Sequence, residues 1–283
     1  MEEYEKYKEA GKIAKNALEM GIRNIKEGKS YKWLVEEIES FIKERAEMAF
    51  PVNISVNNVA AHYTPSINDK SIFKKGDVVK IDVGVHVDGY IADTAKTIEI
   101  GVKKHKKLIK SAESALNEAI KIVRHGISIG EIGKRIEEEI KKYGYKPIRN
   151  LHGHSLERYS LHAGISIPNV KNDDKRILKE GQVIAIEPFA SNGNGIVVDN
   201  GLSNIYRIVK DSPLLGEIRR FKNLPFADRW LHTIYGNKTY LKLSFFIKRK
   251  LIYPYFKLVD NGIVAQAEHT LYITSDGCDV ITA

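Results

Sequence analysis

Residues 78–100 read VVKIDVGVHVDGYIADTAKTIEI. Two runs rich in β-branched residues flank Asp88-Gly89, a dipeptide preferred in two-residue hairpin turns. In the first run, residues 79, 81, 83, 85 and 87 are Val or Ile and fall on one face. Lys80, Asp82, Gly84 and His86 fall on the other. A turn centred on Asp88-Gly89 sets Asp93 opposite Gly84 and Asp82 opposite Ala95. Asp82 and Asp93 then share a face as diagonal neighbours, with Cα atoms roughly 7–8 Å apart. Gly84 leaves the space between them open.

The same pattern occurs a second time. KGDVVKID at 75–82 aligns with EGQVIAIE at 180–187, so each copy has a glycine turn followed by an alternating strand that carries a carboxylate at the same place. Ile91-Ala92-Asp93-Thr94 resembles Gln266-Ala267-Glu268-His269. Upstream, Gly28, Ser30, Ile38 and Ile42 match Gly126, Ser128, Ile136 and Ile140. Apolar residues there recur at helical spacing behind Ser30 and Ser128, which are suited to N-cap positions. Further helical patterns cover 3–26 and 104–124. The unit is helix, helix, strand, strand, used twice. It predicts an α+β domain with an internal pseudo-two-fold axis and helices outside a curved sheet. The second copy is interrupted at 202–260, with short helices expected near 214–223, 226–235 and 239–250 and Pro213 and Pro254 marking edges. The predicted division is a main unit of 1–201 and 261–283 carrying an inserted subdomain at 202–260.

Composition narrows the class. Of 283 residues, 43% are apolar and 29% charged, which excludes a disordered tail. The single cysteine, Cys278, excludes an intrachain disulfide or a thiolate zinc cluster and points to a reducing interior. The N-terminus has no apolar signal core, and no run approaches the ~20 apolar residues of a bilayer span. A soluble, cytoplasmic protein without a membrane partner is expected. The net charge of +9 has one address: residues 205–258 hold twelve Lys/Arg and three Asp/Glu, and the remainder balances. That segment is either a solvated lysine-rich face or an electrostatic footprint that places the protein near ribosomal RNA.

Two carboxylates on an inward face are costly without a cation between them. Lys80, at the strand start, is the nearby candidate. The repeat, however, delivers Glu187 and Glu268 to the equivalent places in the other half. Four carboxylates exceed what one lysine neutralises. Divalent metal answers the charge, and two ions answer it better than one. Among nine histidines, His105, His125 and His232 read as solvated, and His86 as exposed or supporting. His269 points away from Glu268. His62, His162 and one of His152 and His154 remain as site candidates, and alternation alone does not choose within that pair.

The motifs AFPVNIS (49–55), NNVAAHYTP (57–65), VVKIDVGVHVDGYIADTA (78–95), GHSLERYSLHAGISIP (153–168), VIAIEPFA (183–190) and VAQAEHTLYIT (264–274) occur in this order. In that set and order the chain resembles the methionine aminopeptidases of the second, archaeal and eukaryotic, type, in peptidase family M24. The resemblance covers essentially the whole chain, insertion included. It implies the pita-bread fold with a small, mostly helical, winged-helix-like insertion. It implies metal ligands at Asp82, Asp93, His154, Glu187 and Glu268, the Gly-His pair selecting His154. Asp93 and Glu268 would bridge two ions, Asp82 would hold one of them, and His154 and Glu187 the other.

The implied activity is metal-dependent hydrolysis that removes N-terminal methionine from nascent proteins and peptides and prefers a small second residue. Two divalent cations (Co, Mn, Fe or Zn) would anchor the substrate α-amine and turn a bridging water into hydroxide. Glu187 would shuttle the proton, His162 and His62 would assist at the scissile amide, and Phe50 would line the methionine pocket. The chain has no counterpart of the charged extension of eukaryotic members, so it looks archaeal-like, and a monomer is expected. One rival is a prolidase or X-Pro aminopeptidase, which usually carries an extra N-terminal domain. The other is a binding protein that has lost its metal ligands, and here all five ligand types are present.

Overall fold

The computed structural model describes residues 2–283. At the first hairpin, Asp88 and Gly89 both adopt positive φ, 51° and 90°, as the tight turn between twisted strands requires. Strands Val78–Val87 and Tyr90–Glu99 pair around it, with Asp82 opposite Ala95 and Gly84 opposite Asp93. Both faces of this hairpin are buried, so the valine face packs under helices while the acidic face closes over the site.

Helices α1 (Glu2–Asn24) and α2 (Tyr31–Lys43) belong to the first half. Ala10, Ile13, Ala14, Ala17 and Leu18 recur at helical spacing on the buried face of α1. Helices α3 (Lys106–Ile120) and α4 (Ile129–Lys142) repeat the arrangement in the second half. Each half has its own apolar core, one around Ile38, Ile54 and Ile81 and the other around Ile132, Ile136 and Ile184. The repeat is exact at its punctuation. Gly28 and Gly126 both have φ 81°, and their N–H groups donate to Phe73 and Leu178. Ser30 bridges Ile72 as Ser128 bridges Ile177. The caps differ: the Ser30 hydroxyl accepts from the Trp33 N–H, whereas Ser128 has cap dihedrals and no side-chain bond.

The halves meet where strand Tyr90–Glu99 lies antiparallel to Val264–Ile273. Only Lys96–Ala267 and Ala95–Glu268 are paired as a ladder there. Threonines make the remaining bonds. The Asp93 N–H donates to Thr270 Oγ1 and that hydroxyl donates back to the Asp93 carbonyl, both at 2.8 Å. Thr94 Oγ1 donates to the Glu268 carbonyl at 2.9 Å, and Thr97 Oγ1 to that of Gln266 at 2.6 Å. Side-chain bonds thus satisfy buried backbone groups across the seam.

The interruption of the second copy is a long antiparallel pair, Val198–Ile208 with Ile252–Val259. It carries a 3-10 segment, Pro213–Phe221, and helices α5 (Asp228–Tyr235) and α6 (Thr239–Lys248). Pro213 begins its helix, as expected. Pro254 does not mark an edge: it lies within the return strand, opposite Tyr206. The insert has a separate core that includes Leu215, Ile218, Phe226, Leu231 and Phe246. Its return strand also pairs with Val59–Ala61 of the first half, which brings insert residues to the site.

Replacing Thr270 by valine keeps the shape and strands a buried N–H and a buried carbonyl. We expect a loss of about 1–3 kcal/mol in unfolding free energy by denaturant titration. A change within about 0.5 kcal/mol, the usual range for surface substitutions, would contradict this account of the seam.

Candidate metal centre

Five strands lie side by side: Val78–Val87, Tyr90–Glu99, Val264–Ile273, Val183–Ile186 and His152–Leu156. In the same order they deliver Asp82, Asp93, Glu268, Glu187 (one residue past its strand) and His154 to one cavity. The cavity measures about 60 Å³, roughly two water volumes. Metal-capable atoms of Asp93, His154 and Glu268 lie within 4.8 Å of one another. His154 Nε2 is 3.6 Å from Asp93 Oδ2 and 3.8 Å from Glu187 Oε1. Those gaps are too long for direct hydrogen bonds. A cation bonded to each partner at roughly 2.0–2.2 Å would span them.

The electrostatics demand such a cation. Burial pushes the Asp82 carboxyl up to about 7. Burial, then mutual repulsion, raises Asp93, Glu187 and Glu268 well above the carboxylate range. Asp82 Oδ1, Asp93 Oδ1 and Glu268 Oε1 are buried without a hydrogen-bond partner. Among the described residues, no lysine or arginine lines the cavity. Lys80 is fully buried but engaged elsewhere, donating to the carbonyls of Asn57 (3.0 Å) and Val264 (2.9 Å). It is not the counter-ion. His154 is held neutral, pushed down to about 3 by burial and then by His162, which leaves an imidazole lone pair for a metal. Unpaired carboxylate oxygens plus a neutral imidazole form a donor set that fits divalent cations.

His152, two residues earlier, has an exposed side chain and lies outside the cavity. His62, His162 and Phe50 do line it. The His162 ring lies 4.4 Å from that of His154, and the His62 ring 5.3 Å from that of Tyr255. Burial, then His162, lowers His62 to about 4. His62 itself adopts φ 64°, a conformation uncommon for a non-glycine residue. Gly84 does not leave an open space. The Phe50 ring occupies it, and a Cβ at residue 84 would fall 2.1 Å from Phe50 Cε1. The glycine therefore seats the aromatic wall.

The remaining histidines take structural parts. His86 is buried, not exposed, and its Nδ1 accepts from the Gly89 N–H at 3.2 Å, bracing the turn. His269 Nδ1 meets Thr282 Oγ1 at 2.8 Å. His105 and His125 are not merely solvated: they bond Glu99 Oε1 (2.8 Å) and the Glu180 N–H (3.1 Å). Sequence reasoning missed three cavity neighbours. Gln266 Nε2 donates to Glu187 Oε2 at 3.3 Å and to Glu268 Oε2 at 3.4 Å. Its position two residues before Glu268, on the same strand face, was the available signal. Asn53 faces Asp82 across its strand pair, and Tyr255 arrives from the insert's return strand.

A family model described as metallopeptidase family M24 matches residues 5–275. This chain belongs to metallopeptidase family M24. Within the family it is similar to a methionine aminopeptidase of Methanocaldococcus jannaschii, 46% identical across 100% of this chain and 99% of that protein. The crystal structure of a methionine aminopeptidase from Thermotoga maritima superposes with TM-score 0.75 at 25% identity, covering 99% of this chain and 96% of that one. A prolidase from Pyrococcus furiosus shares the fold alone, at TM-score 0.67 and 21% identity, and this chain covers 64% of its length. The architecture is the pita-bread fold of M24 peptidases. Divalent metal use follows from the family and from the donor cluster.

Metal-free protein gives a signed test. The folded state holds the Asp82 proton more tightly than the unfolded chain. Its contribution is therefore present below pH 4 and is lost as pH rises toward 7. In a chelator, Asp82→Asn should gain roughly 2–4 kcal/mol over wild type between pH 4 and pH 8. With Mn²⁺ added, wild type should gain more stability than the variant. A stability difference independent of both pH and metal would contradict the charge argument.

Proposed function

We propose that the chain removes N-terminal methionine from peptides and nascent proteins, preferring a small second residue. Asp82, Asp93, His154, Glu187 and Glu268 would hold two divalent cations. When bound, the cations would neutralise the carboxylates and lower the pKa of the attacking water toward neutral pH. The observation that carries the reading is the meeting of these five side chains from both halves in one small cavity walled by Phe50, Leu161 and Ile205.

The chain's own residues divide the remaining work. Glu187 lines the cavity with its side chain largely buried and takes the proton of the attacking water, returning it to the departing amine. His162 and His62 are kept neutral by burial. Each therefore has an N–H to offer, His162 to the oxyanion that develops on the scissile carbonyl and His62 to the amide. A donor of this kind contributes about 2.7–4 kcal/mol to the transition state. Phe50, Leu161 and Ile205 form an apolar wall that suits an unbranched thioether side chain.

The same reading treats 1–201 and 261–283 as the catalytic unit and 202–260 as an inserted subdomain, which the insert's separate core supports. It places the enzyme as a monomer in the cytoplasm, where the free Cys278 thiol is at home. No helix among the described residues is long and apolar enough to cross a membrane.

Met-Ala-Ser and Ala-Pro-Ser, each offered with Mn²⁺ or Co²⁺, test the assignment. Wild type should release methionine from the first, and Glu187→Gln should cut kcat/KM by roughly 10²–10⁴. Cleavage of the proline peptide in preference would replace this reading with an X-Pro peptidase.

A further inference from the structure

The small metal-side cavity adjoins a second cleft of about 480 Å³, and the two share Leu161, His162, Pro225 and Tyr255 as their common neck. The outer cleft falls within the roughly 300–1,000 Å³ of sites that take drug-sized ligands, enough for a short stretch of peptide. Its outer wall is built by the insert. Arg207 and Tyr253 stand opposite one another on the paired insert strands, the guanidinium 5.8 Å from the tyrosine ring. Ser160 and Asn223 add polar groups, and no aspartate or glutamate lines the cleft. Arg207 is exposed and, among the described residues, is the only arginine or lysine in the lining. Its charge reaches the neck: after burial, it is the second cause that holds His162 below the ordinary imidazole value.

A peptide whose scissile bond lies over the inner cavity, with its first residue against Phe50 and Leu161, has its second residue in the neck. Its third and fourth residues then lie in the outer cleft, over Arg207. We propose that this cleft is a subsite for the third and fourth substrate residues, and that Arg207 selects an acidic side chain there over a basic one. The proposal rests on the aminopeptidase reading and adds a specificity determinant to it. An acceptor-only carboxylate meets a planar five-donor guanidinium with no competing acid in the cleft. A lysine in the same place meets like charge.

The test compares kcat/KM for methionine release from C-terminally amidated Met-Ala-Glu-Gly, Met-Ala-Gln-Gly and Met-Ala-Lys-Gly at low ionic strength. Wild type should favour the glutamate over the lysine peptide by about two- to fivefold, the scale of an exposed ion pair. The ratio should fall to near one in Arg207→Gln and invert in Arg207→Glu, and salt at about 0.5 M should compress it in wild type. Lys238→Gln, on the exposed surface of the insert outside the cleft, should keep the wild-type ratio. A ratio unmoved by the Arg207 substitutions, or moved equally by Lys238→Gln, overturns the proposal. So does an Arg207-dependent preference seen only between free-acid and amidated Met-Ala-Gly, which would make the chain terminus the ligand. Failure of wild type to release methionine even from the neutral glutamine peptide is a separate result, and it removes the aminopeptidase reading and the subsite together.

Discussion

Four carboxylates crowd into a space of about 60 Å³ that no lysine or arginine lines, and the rest of the structure is arranged around that repulsion. In water their mutual repulsion would be weak. In a buried site it is large enough to shift protonation. Protons can relieve it, at the expense of holding four acids neutral near pH 7. Divalent cations relieve it while keeping the acids ionised. The imidazole of His154, neutral because it is buried, completes a donor set suited to the second solution.

The duplicated architecture is what makes the convergence possible. Each half contributes a strand pair on which carboxylates sit at the same places, and antiparallel contact of the two central strands brings the sets together. Threonine hydroxyls, more than a regular ladder, sew that contact. The insert then closes the site from outside. Its strands bring Ile205 and Tyr255 to the inner wall and Arg207 to the outer cleft, so the segment with the basic excess lines both cavities.

Much of this was legible in the chain because the signals were local. Asp88-Gly89 dictates its turn, the turn dictates register, and register puts Asp82 and Asp93 on one face. The offset between copies extends the argument to Glu187 and Glu268. His154 was not separable from His152 by alternation, since both occupy the same face of one short strand, and burial at its inner end distinguishes them. The seating of Phe50 against Gly84 was illegible because it depends on contact between segments 34 residues apart. Tyr255 comes from further away still, on a strand whose proline reads as a breaker. Gln266 was readable from strand period and was passed over in favour of the charged neighbour it supports.

The most direct measurement is anomalous X-ray diffraction from crystals grown with Mn²⁺. The account expects two anomalous peaks within coordinating distance of Asp82, Asp93, His154, Glu187 and Glu268, with Asp93 and Glu268 reaching both. A cavity without anomalous signal, or metal bound elsewhere while these five side chains hydrogen-bond only to water and to one another, would contradict it.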